Sequence, residues 1–137
     1  MRLFMDTSAL IALEDRDDRN HSAALEYRER LREGKTPFRS LYTSNYIIDE
    51  TLTLLRLHLG HRVAVSFGES VKSSKAVKVF WIDSESDAVA WKIFRAHEDE
   101  DFSYTECASF ALMEKEAISS AFAFDKHFEQ YGFKMFP

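Results

Sequence analysis

Hydrophobic and polar positions alternate between two periods along this chain. Arg2 to Met5 is a short, mostly apolar run that predicts a strand, and Thr7, Ser8 and the stretch Ala9 to Leu13 predict a helix directly after it. Asp6 stands at the join. After an acidic turn, Glu14 to Asp18, an amphipathic helix is predicted over Asn20 to Glu33. Its apolar spacing runs through Ala24, Leu25, Arg28 and Leu31, and Gly34 stops it. Phe38 to Tyr42 predicts a strand or extended entry. Thr43 or Ser44 then caps a long helix that ends at Leu59 before Gly60. His61 to Ser73 predicts a further helix on Val63, Ala64, Phe67 and Val71, and Val77 to Ile82 predicts a buried strand. Ser84 with Asp87 has the form of a capping box opening a helix to about His97. Ser103 or Thr105 starts another helix to about Ala117. A strand follows from Ser119 to Phe124, ending at Asp125, then a turn of helix (Phe128 to Tyr131) and a last strand (Phe133 to Phe136).

Strands alternating with helices predict an α/β fold whose parallel sheet is covered on both faces. The carboxyl ends of such strands lie along one edge, where open α/β sheets bind ligands. Asp6 ends the first strand and Asp125 ends a late one, so both carboxylates are placed to reach one crevice. Asp6 also suits a helix N-cap, at the positive end of the helix dipole.

Composition changes this picture little. A chain of 137 residues with 45% hydrophobic residues predicts one globular domain over 1–137 that buries its own core. The single cysteine, Cys107, has no internal partner, which points to a reducing, cytoplasmic setting. The opening apolar run is too short for a signal peptide and is broken by Asp6, and no run approaches a membrane span.

Charge changes it more. The net charge of −5 argues against a general nucleic-acid binder, yet Leu52 to Ile82 carries Arg56, Arg62, Lys72, Lys75 and Lys78 against one acid, Glu69. Asp83 to Asp101 then holds seven acids against Lys92 and Arg95. A basic middle followed by an acidic later part can steer a polyanion across one face and hold cations at another. A solvated helix face is the plainer account of each segment.

Two predicted helices carry an acid where an apolar residue is expected. Ile47, Glu50, Leu54 and Leu57 form one stripe of the long helix, and Ile48, Leu52, Leu55 and Leu59 a second. Glu106, Phe110, Met113 and Ala117 share a face of the later one. A buried carboxylate requires a proton, a basic partner or a metal. Asp6, Glu50, Glu106 and Asp125 in one pocket at ~6 Å spacing would repel by roughly 3 kcal/mol a pair at an effective dielectric near 20, roughly 17 over six pairs. That exceeds the stability of a whole domain, about 5–15 kcal/mol. An all-oxygen site of this kind calls for Mg²⁺ or Mn²⁺ rather than zinc. His58 and His61 have a spacing zinc can use, but no partner pair accompanies them.

On three stretches the chain resembles the PIN-domain ribonucleases, in particular the branch that includes the VapC-type toxins: LFMDTSALIAL, SNYIIDETLTLL and DFSYTECASFALMEKEAISSAFAFDKHFEQYGF. The resemblance implies a three-layer α/β/α fold with a short parallel sheet and a Mg²⁺- or Mn²⁺-dependent nuclease acting on RNA. It places the family's acids on Asp6, Glu50, Glu106 and Asp125, with Asp101 as a fifth. It also implies a homodimer and, for toxin-type members, a small antitoxin partner. Where the family usually shows Thr-Asp this chain has Thr105-Glu106, which keeps the charge but extends it by one methylene. Under the implied mechanism Asp6, Glu50 and Glu106 hold an ion, Asp125 completes the site, and Thr7, Ser8 and Asn45 are caps or fix water.

Two readings of different class follow: a metal-dependent endoribonuclease, as the toxin of a toxin–antitoxin pair, or a binding module that keeps the fold without cleaving. Glu106 feeds the second. A phosphoacceptor receiver fits poorly, because it would show paired acids after its first strand, where Thr7 and Ser8 follow Asp6.

Overall fold

A computed structural model describes residues 1–137. Its strands are β1 (Arg2–Met5), β2 (Ser40–Ser44), β3 (Val77–Phe80), β4 (Ser120–Phe122) and β5 (Lys134–Phe136). Its helices are α1 (Thr7–Glu14), α2 (His21–Arg32), α3 (Asn45–Leu59), α4 (His61–Ser73), α5 (Ser84–Ala96), α6 (Tyr104–Lys115) and α7 (His127–Tyr131). All strand pairs are parallel, in the order β3-β2-β1-β4-β5, and helices flank the sheet in an α/β/α arrangement. β1 is therefore central, between β2 and β4, and the carboxyl ends of β1, β2 and β4 are neighbours.

Alternation along the strands divides the core. Phe4 pairs in register with Ala121 and Met5 with Phe122, so Phe4 and Phe122 leave opposite faces. Phe122 meets Tyr27 of α2 with ring centroids 5.1 Å apart. Phe4 meets Phe128 of α7, which packs edge-on to Phe110 of α6. α6 is buried on all sides from Glu106 to Met113, as a helix wedged between the sheet and α5 must be.

Several boundaries and environments differ from the sequence reading, each for a physical reason. Val77–Phe80 is the edge strand and half-exposed rather than buried, because β-branched composition does not separate an edge from a centre. β2 starts two residues later than Phe38. α2 buries Ala24 and Tyr27, while Leu25, Arg28 and Leu31 are only half-buried. α5 is capped by Asp83, which accepts from the Ser86 amide at 2.8 Å, not by a Ser84–Asp87 box. Asp87 instead accepts from the Tyr46 and Tyr104 hydroxyls at 2.9 and 2.8 Å. The capping box lies at the next helix: Ser103 Oγ accepts from the Glu106 amide and a Glu106 carboxylate oxygen accepts from the Ser103 amide. β4 ends at Phe122, so Asp125 sits in the loop beyond it. The apolar stripe that carries Glu50 turns outward: α3 buries Ile47, Thr51 and Leu55, Leu57 is 72% exposed, and Glu50 is half-buried.

Phe110 holds the rings of Phe102, Phe128 and Tyr131 within 5.2 Å of its own and is fully buried. Phe110→Ala should destabilise the fold by about 3–5 kcal/mol in denaturant unfolding. A loss below about 1 kcal/mol would mean that this aromatic cluster does not anchor α6.

Candidate metal centre

The chain turns sharply from β1 into α1, and the turn fixes Asp6. Its amide continues the sheet ladder to the Phe122 carbonyl at 3.1 Å, and its side chain caps α1 by accepting from the Ser8 amide at 3.0 Å. Ser8 Oγ donates to the same Asp6 oxygen at 2.6 Å and accepts from the Phe124 amide at 3.0 Å. Ser8 is thus a clamp between the first and fourth strand ends, not a cap. Asn45 accepts from the Ile82 amide at 2.7 Å and stitches the chain after β3 to α3. Thr51 Oγ1 lies 3.5 Å from Thr7 Oγ1 and ties α3, which carries Glu50, to α1.

A cleft of about 770 Å³ opens at this edge, lined among others by Asp6, Glu50, Glu106 and Asp125. The four acids predicted from sequence therefore share one cleft. Within it Glu106 and Asp125 form a tight group with His127, their donor atoms lying within 4.8 Å of one another. His127 Nδ1 is 2.9 and 3.0 Å from the two Glu106 oxygens and 3.1 Å from Asp125 Oδ1. Asp6 and Glu50 line the same cleft closely enough for the Glu50 charge to disfavour ionisation of Asp6.

Asp101 does not line the cleft. It is exposed on the neighbouring groove with Phe102 and acts on the site only through its field, which favours charge on His127. Arg56, Arg62, Lys72, Lys75 and Lys78 also lie elsewhere. Arg56 and Lys72 line a groove between α3 and α4, and Arg62 is exposed on α4. Lys75 and Lys78 line a cleft beside α2 with Arg28, Arg32 and Arg39. The cations that do line the acidic cleft are Arg19 and Lys126. Sequence reasoning passes over them and over His127, although the run Asp125-Lys126-His127 directly follows a predicted strand end.

Burial governs the electrostatics. It raises Asp6 from an ordinary 3.8 to about 6 against the hydrogen bonds from Ser8, with Glu50 adding to the rise. It raises Glu106 from 4.5 to about 7, helped by Asp125 and opposed by the bonds from Ser103 and His127. For His127 burial works against the charged form, but Glu106, Asp125 and Asp101 outweigh it and raise its pKa. Burial and Asp125 thus push Glu106 toward its neutral form, while the neighbouring carboxylates push His127 toward its charged form.

The sequence profile of the PIN domain matches residues 3–134. The chain is 35% identical over 131 residues to the 23S rRNA-specific endonuclease VapC20 of Mycobacterium tuberculosis, an alignment covering 96% of this chain and 95% of that protein. The crystal structure of Mycobacterium tuberculosis VapC20, a sarcin-ricin loop cleaving toxin, superimposes with a TM-score of 0.84 at 34% identity, covering 96% and 95% of the two chains. FitAcB from Neisseria gonorrhoeae superimposes with a TM-score of 0.70 at 12% identity, over 100% of this chain and 97% of the other, a likeness of fold.

A raised carboxyl pKa sets the sign of a pH effect. Between about pH 4 and 6 the folded protein keeps a proton on Asp6 that the unfolded chain has lost, so stability is full below that window and declines as pH rises through it. A rise of about two, at about 1.4 kcal/mol for each tenfold, amounts to about 3 kcal/mol for this buried group. Glu106 acts in the same direction up to about pH 7, and His127 does so as pH rises above its ordinary 6.5. The metal-free protein should therefore melt at lower temperature as pH rises from about 4 to 7. Asp6→Asn keeps the cap acceptor, so it should flatten that fall and melt above the parent at pH 8. A parent melting curve that climbs over this interval would contradict the assignment.

Proposed function

The chain belongs to the PIN domain family, and within it we propose a divalent-metal-dependent endoribonuclease that serves as the toxin of a toxin–antitoxin pair. The observation that carries this reading is the convergence of Asp6, Glu50, Glu106 and Asp125 on one cleft at the carboxyl edge of the sheet, in a chain 35% identical to an rRNA endonuclease. The donors fit a hard cation: they are carboxylate oxygens, and two are buried deeply enough to hold protons that a cation would displace. Asp6, Glu50, Glu106 and Asp125 would hold Mg²⁺ or Mn²⁺. The ion supplies a bound water of lowered pKa and a counter-charge for the phosphate.

The chain's own residues do the rest. Ser8 keeps the Asp6 carboxylate facing the cleft. The capping box keeps Glu106 from swinging out of it, and Arg19 and Lys126 offer positive charge to the RNA backbone at its rim. The Glu106 carboxylate meets both the Ser103 amide and His127. Arg56, Arg62, Lys72, Lys75 and Lys78 would take up RNA phosphates away from the scissile bond. The antitoxin partner and the homodimer belong to the same reading. Its support is the likeness to VapC20, a toxin that cleaves the sarcin-ricin loop.

The test is cleavage of RNA, 23S rRNA first, with Mn²⁺, with Mg²⁺ and with chelator. Chelator should stop cleavage, and Asp125→Asn should slow it by roughly a hundredfold or more, since small misplacements at such centres cost that much. Protein that binds Mn²⁺ and RNA but leaves every RNA intact would establish the binding-module reading instead. Among the distant cations, Arg62→Gln and Lys75→Gln should each lower the salt slope of single-stranded RNA binding by roughly 0.7. An unchanged slope would remove both from the interface.

A further inference from the structure

We propose that His127 is itself a ligand of the ion held by Glu106 and Asp125, giving the cleft a mixed nitrogen–oxygen donor set that favours Mn²⁺ over Mg²⁺. This rests on the metal-dependent reading above and goes beyond the four-carboxylate set.

The geometry around Nδ1 carries it. Three carboxylate oxygens surround that nitrogen at 2.9, 3.0 and 3.1 Å. A proton on Nδ1 lies toward the two Glu106 oxygens, both in hydrogen-bonding geometry, and leaves Asp125 Oδ1 as an ion-pair neighbour off that line, so it uses only part of this arrangement. A cation uses more of it. Neighbouring donors around an octahedral ion with bonds of about 2.1 Å stand about 3.0 Å apart, the bond length times the square root of two. Both the nitrogen–Glu106 and the nitrogen–Asp125 separations match that edge, whereas a tetrahedral ion with bonds of about 2.0 Å would need about 3.3 Å.

The ring is also held in place. His127 opens α7, its amide donates to Asp125 Oδ1 at 3.0 Å, and its ring stands edge-on to Phe102 with centroids 5.4 Å apart. As a ligand it presents the Nδ1 lone pair and keeps its hydrogen on Nε2. Imidazole nitrogen binds first-row transition ions, Mn²⁺ the weakest of them, better than it binds Mg²⁺, which prefers oxygen and water. The nitrogen therefore tilts the site toward Mn²⁺ without closing it to Mg²⁺. The rival role, an imidazolium that only balances Glu106 and Asp125, predicts no metal–nitrogen bond.

Pulsed electron paramagnetic resonance of the full chain loaded with Mn²⁺ separates the two. The parent should show the nitrogen modulation of a directly bound imidazole, and labelling histidine with the heavy nitrogen isotope should change that modulation without any variant. His127→Gln, with its fold checked by circular dichroism, should lose the signal. It should weaken Mn²⁺ binding by roughly 10–100-fold, the range known for partners of metal ligands, and weaken Mg²⁺ binding less. His97→Gln, a histidine outside the cleft, should keep it. Mn²⁺ bound without nitrogen modulation, or modulation that survives in His127→Gln, overturns the proposal while leaving the nuclease reading intact. Failure of the parent to bind either ion overturns both.

Discussion

The cost of burying a carboxylate governs the working edge of this molecule. Asp6 is 4% exposed and Glu106 is 6% exposed, and water that would solvate their charges is excluded by the strand ends and by α6. Each acid is met by fixed donors: a serine hydroxyl and amide for Asp6, an amide and an imidazole for Glu106. Those donors reduce the penalty but do not cancel it, so both groups titrate above the ordinary carboxylate range, Asp6 at about 6 and Glu106 at about 7. The result is a cleft of suppressed charge, and a cation restores what burial has taken away.

The remainder of the fold holds that edge still. β1 lies between two partners, so Asp6 cannot shift without disturbing two ladders. α6 presents Glu106 from its first turn while burying the rest of its length, and the Ser103 box fixes where the chain enters that turn. Close-packed aromatic rings behind it leave little room for the helix to slide. α3 contributes Glu50 from a half-buried face, and the loop beyond β4 contributes Asp125, half-buried as well.

The order of strands and helices is legible in the residues because long periodic segments and Gly or Ser stops are strong local signals. His61–Ser73 is predicted to the residue, and the other helices to within a few at either end. What escapes depends on tertiary placement. β3 has the composition of a central strand and lies at the edge. Glu50 repeats in an apolar stripe, yet beyond the buried Ile47 that stripe faces the cleft and solvent. Both misreadings arise because periodicity gives a face and not what lies opposite it. Asp6, Glu50, Glu106 and Asp125 stand out because acids at strand ends or in apolar stripes are costly. His127 does not, because a histidine beside a lysine in a polar loop costs nothing in sequence.

The clamp made by Ser8 joins Asp6, near one end of the chain, to the Phe124 amide, 116 residues beyond Ser8. β1 likewise waits for β4 to complete its second ladder, and Glu106 waits for His127. A chain emerging from its N-terminus thus carries its first acid long before the wall that positions it exists. The cleft takes shape only once the segment from Phe124 to His127 has met β1 and α6, and a fragment lacking that segment holds Asp6, Glu50 and Glu106 without the arrangement.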